Sequence, residues 1–463
     1  MHSQHCRMVR TDGRILLGNA SRLGVPLIVR FIFAPLLGLI AGCGAGGPGA
    51  APAPVAPEQP TLVTSSDGEF AEVEPNDSFA SANVLEPARL PEFLIDARMD
   101  GPSDVDVFAI GASTSTEVIL VQAFGEAATA IRVAVFDGEG NLVARRGLAR
   151  KGTPTAAFVE ATISTTASAL YVAVAGAGTA AGASGDAYGL TISRRPAIAG
   201  HLPTAPAVYL DFDGAEGVDV ADWKAASLLP FTPEGIVPNL RGRRDELIAA
   251  ITSKVRLDFV GYNVSIVSSS EAAPPAQPFA TLYVGGSDPE HLGLSEPAAV
   301  DNPSTGQRAI VFADSFAPIA ALAPTAEQFA QALANVASHE IGHLLGLVHV
   351  AAPADLMDLR PSWRELLADQ QFGRADLHGT IFPIGSQDGP RRLWSTIGGA
   401  AAPRPTTSTP AATSPGSVVA PPPDSYADSR QITVADATPD RSSLCTCLCD
   451  RCRFAEVEGD SGN

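Results

Sequence analysis

The residues best placed to do chemistry are His339-Glu340-Ile341-Gly342-His343-Leu344-Leu345-Gly346-Leu347-Val348-His349, where three of the chain's eight histidines fall together. His339 and His343 are four residues apart, so on a helix both imidazoles leave one face a turn apart. That spacing lets them share one zinc ion at about 2.0–2.1 Å. Glu340 sits roughly 100° round the helix from His339, within reach of a water on an open coordination position. Gly346 can adopt a positive φ, ending the helix and reversing the chain without a Cβ penalty. The reversal brings His349 round as a third ligand. Three neutral imidazoles leave the metal its full double charge, which lowers the pKa of a bound water while Glu340 takes the proton. The other histidines, His2, His5, His201, His291 and His378, read as ordinary loop or surface residues. His291 is a weaker candidate for a second ion.

Such a constellation needs a helix and a sheet to carry it. Pro324-Thr325-Ala326-Glu327-Gln328 opens a helix, with Thr325 and Gln328 at capping-box spacing. It is expected to run through Phe329, Leu333, Val336 and Ile341 to about Leu345. Upstream, Val208 to Gly214 reads as a strand ending in a turn, with Asp211 and Asp213 as turn carboxylates. Arg244 to Phe259 places Leu247, Ile248, Ile251, Val255 and Phe259 at helical spacing. Strands are expected at 262–267, 280–284 and 309–312. The stretch from Ala309 to Asp314 is expected to be the edge strand along which an extended peptide lies. Strand, helix, strands, helix make an α/β (α+β) domain over 205–390.

This extended motif resembles that of the metzincin clan of zinc endopeptidases, most closely its matrixin-like members. Asp355-Leu356-Met357-Asp358 follows, and Met357 fits the clan's Met-turn. The resemblance implies zinc held by His339, His343 and His349, with Glu340 as general base, Gly346 at the helix-ending turn and Met357 as the floor beneath the metal. It implies a metalloendopeptidase acting on protein or peptide substrates. Two features depart from it. No Tyr follows Met357 within two residues, so a Tyr ligand of the astacin kind has no candidate. Asp358-Leu359-Arg360-Pro361 also stands where matrixins often carry Tyr-Pro. Two other functions fit the sequence: an envelope-tethered binding protein with a vestigial zinc site, and a zinc hydrolase of a non-peptide bond.

Residues 66–195 carry short strand-like runs, among them 117–121, 131–136, 170–174 and 188–192, separated by turns such as Asp137-Gly138-Glu139-Gly140-Asn141. With no convincing helix they suggest an all-β sandwich. Glu72-Val73-Glu74-Pro75-Asn76-Asp77, followed by Ser103-Asp104-Val105-Asp106-Val107-Phe108, resembles the bacterial pre-peptidase C-terminal domain, a small β-sandwich of secreted peptidases. Asp104 and Asp106 are candidate calcium ligands, with solvated turn carboxylates as the other reading.

The two ends read as address and tail. Arg7, Arg10, Arg14, Arg22 and Arg30 precede an apolar run from Phe31 to Gly42, the layout of a secretory signal over 1–42. Its ending, Ile40-Ala41-Gly42-Cys43, resembles a bacterial lipobox and implies that Cys43 is acylated. The protein is then a cell-envelope lipoprotein of the outer membrane or cell surface, held to the membrane through that lipid. Residues 43–65 read as a flexible tether and 399–442 as an Ala/Pro/Ser/Thr linker. The tail 443–463 contains Cys445, Cys447, Cys449 and Cys452, which suit either a metal or disulfides. None of the 6 Cys lies between Cys43 and Cys445, so the folded regions stand without disulfides. The formal charge of −19 argues against nucleic acid as a partner. The 45% hydrophobic content excludes a wholly disordered chain.

Overall fold

A computed structural model describes residues 58–400 apart from 89, 102, 115–116, 126–130, 147–156, 164–165, 177–185, 198–204, 222, 297–305 and 360. The expected signal, Cys43, the C-terminal linker and the Cys445–Cys452 tail lie outside the described residues. The described chain is rich in strands, with several sheets and few helices. Among the described residues no helix is long and apolar enough to cross a membrane.

The first half is a run of strands: β1 (Thr61–Thr64), β2 (Glu69–Ala71), β3 (Asn83–Glu86), β4 (Glu92–Met99), β5 (Val105–Ala109) and β6 (Glu117–Gly125). It continues through β7 (Ile131–Asp137), β8 (Leu142–Arg146), β9 (Ala157–Thr162), β10 (Leu170–Gly176) and β11 (Asp186–Pro196). One sheet has the order β1-β3-β5-β10-β7-β8, the other β2-β4-β11-β6-β9. Phe93, Ile95, Phe108, Val121, Val135, Val172 and Ile192 fill the space between the two sheets. Alternating inward apolar residues are what drive two sheets together.

The second half begins with β12 (Ala207–Asp211), the hairpin β13 (Ala215–Val220) and β14 (Trp223–Leu228), α1 (Arg244–Asp258), β15 (Ser265–Ser268) and β16 (Ala280–Val284). Next come β17 (Gly293–Ser295), β18 (Arg308–Val311), α2 (Ala326–Leu344), the short α3 (Trp363–Leu366), the hairpin β19 (Arg374–Asp376) and β20 (Ser386–Asp388), and α4 (Gly389–Ile397). The sheet order is β15-β12-β16-β18-β17, parallel except for β17, which runs antiparallel to β18. Leu247, Ile251 and Val255 of α1 join Phe329, Leu333 and Ile341 of α2 in one core with Leu210, Leu282 and Val311 of the sheet. α2 opens with Thr325 Oγ1 accepting from Gln328 N at 3.2 Å, while Gln328 Oε1 accepts from Thr325 N at 3.0 Å. That reciprocal cap satisfies two of the donors that a helix start leaves open.

Three positions correct the sequence reading. β1 lies inside the stretch read as tether, because Leu62 and Val63 sit on a strand that pairs with β3. α4 runs past residue 390, capped by Asp388, whose side chain accepts from Arg391 N. The strand at 308–311 is not an edge: β16 pairs with one side and β17 with the other. The edge on this side of the sheet is β17, and its Gly-Leu-Ser sequence has too little β-propensity to announce a strand.

The two halves share a core. Val107, Ala109, Ala134, Phe136, Ala173 and Ala175 point out of the sandwich and pack on Val348, Leu377, Ile381 and Phe382. Phe136 and Phe382 meet edge to face with centroids 5.5 Å apart. The rim is polar: Arg374 Nε donates to Asn141 Oδ1 at 2.8 Å, Arg132 Nη1 to Gly379 O at 3.0 Å, and Arg391 pairs with Glu139 at 2.9 Å.

Candidate metal centre

α2 brings His339 and His343 to its C-terminal turns, and Gly346, at φ 92, reverses the chain after the helix ends. The reversal sets His349 beside them. His343 Nε2 lies 3.0 Å from His339 Nε2 and 3.1 Å from His349 Nε2, and all three rings are buried. His339 Nδ1 stands 2.6 Å from Leu356 O, and His343 Nδ1 stands 2.9 Å from Leu347 O. A carbonyl only accepts, so each Nδ1 carries the hydrogen and each Nε2 presents a lone pair. Burial holds His339 down to about 4. Burial and then the neighbouring histidines hold His343 and His349 well below the ordinary imidazole value.

Lone pairs at this separation repel unless a cation lies between them. Tetrahedral zinc with bonds of roughly 2.0–2.1 Å separates its nitrogens by about 3.3 Å, close to what the structure shows. The three histidines therefore fit a zinc ion, and the two backbone carbonyls act as the outer partners that fix ligand orientation.

Glu340 is fully buried, and its carboxylate lies against β17: a Cβ on Gly293 would fall 2.4 Å from Glu340 Oε1. Met357 packs beneath the helix, where a Cβ on Gly342 would fall 2.7 Å from its Sδ. Both glycines thus mark close approaches that spacing alone did not reveal. Asp355 ties the Met357 loop down, with Oδ1 accepting from Met357 N and Oδ2 from Gly373 N, each at 2.8 Å. Gln387 braces Val348, accepting from its N–H at 2.8 Å and donating to its carbonyl at 2.9 Å. No signal in the sequence singled out Gln387. Arg145, from the sandwich, also acts on the centre: its charge adds to the effects that keep His343 and His349 neutral.

The other candidates lie apart. Asp211 accepts from Asp213 N at 3.0 Å, and Asp213 pairs with Arg244 at 2.9 Å, as turn carboxylates do. His291 Nδ1 pairs with Asp288 at 2.6 Å. It joins neither group of convergent metal-ligand side chains found among the described residues, so the idea of a second ion there gains nothing. The second such group is in the sandwich: Glu72, Glu74 and Asp106 bring carboxylate oxygens within 4.8 Å of one another. Tyr188 Oη donates to Asp106 Oδ2, and Asn76 Nδ2 donates to Glu72 Oε1 at 2.9 Å. Asn76 Oδ1 and Asp106 Oδ1 are buried without a hydrogen-bond partner. Burial, then Glu72, pushes the Asp106 carboxyl far up, and burial, then Glu72, pushes Glu74 up to about 7. Asp104, paired with Asp106 in the sequence reading, stands outside the group and accepts from Asp100 N.

No family model matches the chain, and no curated protein does. Solved structures match parts of it weakly. An archaemetzincin from Methanopyrus kandleri is 12% identical over 42% of this chain and 99% of its own, with a TM-score of 0.22. A zinc-dependent peptidase from Methanocorpusculum labreanum is 12% identical over 40% of this chain and 98% of its own, with a TM-score of 0.22. The pre-peptidase C-terminal domain of a Bacillus anthracis collagenase is 13% identical over 30% of this chain and 97% of its own, with a TM-score of 0.17. Likeness at these scores carries no argument, so the functional reading rests on the site.

Proposed function

We propose that this chain is a zinc-dependent endopeptidase that hydrolyses protein or peptide substrates at the cell envelope. The observation that carries the reading is the convergence of three buried, neutral imidazoles, with the buried Glu340 next to His339 in the helix. His339, His343 and His349 hold the ion, which when bound supplies Lewis acidity and a lowered water pKa. Leu356 O and Leu347 O keep the His339 and His343 rings in the tautomer that presents Nε2. Glu340 receives the proton of the attacking water at its carboxylate and returns it to the leaving amine. β17 confines that carboxylate, Met357 supports the helix turn below, and Gly346 sets the angle at which His349 enters.

The proposal extends to export and to acylation of Cys43, both supported by residues 1–43 alone. It retains a calcium ion for the sandwich, relocated from Asp104 and Asp106 to Glu72, Glu74 and Asp106. The central test is Glu340→Ala in the full chain. Zinc content should stay near one per chain, while cleavage of a denatured protein falls by about 10³-fold or more. Retained cleavage would falsify the assignment of Glu340. Stoichiometric zinc with no turnover in the unsubstituted protein, over a broad peptide library, would favour the tethered binding protein instead.

A further inference from the structure

The two halves of the molecule meet at the stretch that carries the third zinc ligand. Val348 lies between Leu347, whose carbonyl orients His343, and His349 itself. Its side chain is buried in the shared core that contains Phe136 and Phe382. Both of its main-chain polar groups are held by Gln387, which accepts from Val348 N at 2.8 Å and donates to Val348 O at 2.9 Å. Gln387 belongs to the hairpin β19–β20, and the sandwich holds that hairpin. Ser386 N donates to Gly140 O at 2.9 Å, while Arg374 donates to Asn141 Oδ1 at 2.8 Å and to Glu139 O at 2.9 Å. Gly385, at φ 89, lies so close to Phe136 that a Cβ there would fall 2.3 Å from the ring. The receiving turn is itself stiff, because Asp137 Oδ1 accepts from Glu139 N and from Asn141 N, each at 2.9 Å. An unbroken line of contacts thus runs from the β7–β8 turn through Ser386, Gln387 and Val348 to His349.

α2 itself places His339 and His343, and it packs into one core with α1 and the sheet. His349 comes from the chain beyond the helix, and its carbonyl accepts from His378 N at 3.1 Å, two residues after β19. We propose, on the zinc reading above, that the sandwich is a positioning element of the metal centre: through the hairpin and Gln387 it sets where His349 stands, so that zinc affinity and docking of the two halves are coupled. Groups that orient a metal ligand from outside the coordination shell are worth about 10–100-fold in affinity. Coupling of this kind passes through packed and hydrogen-bonded neighbours. It is also reciprocal, so whatever tightens zinc binding tightens the interface. Loosening this face of the sandwich leaves two histidines in place and the third poorly held. The sandwich is therefore part of how the metal site is built, and Gln387 is the residue that transmits its hold.

The test reads zinc affinity and coordination in the full chain, with general stability as the control. Gln387→Met keeps most of the side chain's bulk and removes both hydrogen bonds to Val348, and Phe136→Leu loosens the seat of the hairpin. Ile192→Ala opens a cavity between the sandwich sheets, away from the shared core, and controls for a general loss of stability. Competition with a chromophoric chelator should show zinc held about tenfold or more weakly in the first two variants. Ile192→Ala should stay within about twofold of the unsubstituted protein despite its lower melting temperature. With cobalt in place of zinc, the visible absorption band should change shape in Gln387→Met and not in Ile192→Ala. Stripping the metal from the unsubstituted protein should speed hydrogen exchange at the Ser386 amide, which bonds to the sandwich, and leave the Ile251 amide of α1 as it was. Zinc affinity unchanged in both interface variants, or weakened as much in Ile192→Ala, overturns the inference while the zinc site stands. An unsubstituted chain that binds no zinc overturns the zinc reading itself, and this inference with it.

Discussion

Two sets of like groups converge in this molecule, and burial acts on them in opposite directions. At the metal centre, burial favours the neutral imidazole, which is the form that donates a lone pair. The three rings are preset as ligands before any ion arrives. In the sandwich, burial disfavours the ionised carboxylate of Asp106, so that carboxyl holds its proton to higher pH, and the exposed Glu74 beside Glu72 is raised less, to about 7. That cluster can gain a cation only by giving protons up. The first site is thus organised for a borderline ion that keeps most of its charge. The second, for which calcium is proposed above, would take a hard ion whose charge the carboxylates cancel.

The sharpest break in the comparison is His343→Ala. Its Nε2 is the middle atom of the three, within 3.0 and 3.1 Å of the others. Zinc content should fall from about one per chain to under about a tenth, and peptide cleavage should drop by about 10³-fold or more. Elemental analysis and a fluorogenic peptide assay check the two separately, and full zinc retention would remove the site as drawn. A subtler version leaves the ion in place. Gly293→Ala would put a Cβ 2.4 Å from Glu340 Oε1 and displace the carboxylate. Turnover should fall by about 10²-fold with zinc content unchanged, since a shift of about 1 Å in a catalytic group is worth that much.

Much of the metal site was legible because its parts are local. The capping box at Thr325 and Gln328, the i, i+4 histidines and the turn at Gly346 are each written in a few adjacent residues. The edge strand was not legible, because Gly293-Leu294-Ser295 becomes a strand only by pairing with β18 beside α2. The fused core left a trace that went unused. β5 is buried at every position and β7 and β10 at nearly every one, so their apolar runs lack the alternation of a sheet with one wet face. Such runs imply a cover on both faces, but periodicity does not say what the cover is. Here it is the loop after α2 and the segment around Phe382. Gln387 acts through its contacts with Val348, 39 residues away, so no local pattern could mark it.

A smaller effect is expected at the acidic cluster. A carboxyl whose folded pKa is raised stabilises the fold at low pH, and that contribution is lost as pH climbs through the folded value. The protein without calcium should therefore melt at lower temperature as pH rises from about 4 toward and beyond 7, the span set by Glu74 with Asp106 above it. Millimolar calcium should flatten the slope, because the ion takes the place of the protons, and should raise the melting temperature by a few degrees. Asp106→Asn should remove most of the calcium response while leaving zinc content alone. A melting temperature indifferent to both calcium and pH would erase the contrast between the two clusters.

The smallest effect comes from Asp258, a half-buried carboxyl that belongs to neither cluster. It ends α1 and accepts from Ser338 Oγ on α2 at 2.5 Å, one residue before His339. Burial raises it to about 6, against the lowering effect of that hydrogen bond and of Lys254. By the same sign rule, its contribution is complete below about 4 and lost as pH passes about 6, a change of up to about 3 kcal/mol. Asp258→Asn keeps an acceptor for Ser338 and removes the charge. The melting temperature at pH 7.5 should rise by a few degrees, with little change at pH 4, as calorimetry at the two values would show. A drop at pH 7.5 would mean that Lys254 and Ser338 already offset the burial of the charge. Neither calcium nor zinc should alter the result, because a lone carboxyl with one hydroxyl donor exchanges only a proton. That insensitivity separates burial of a single acid from the convergence of several.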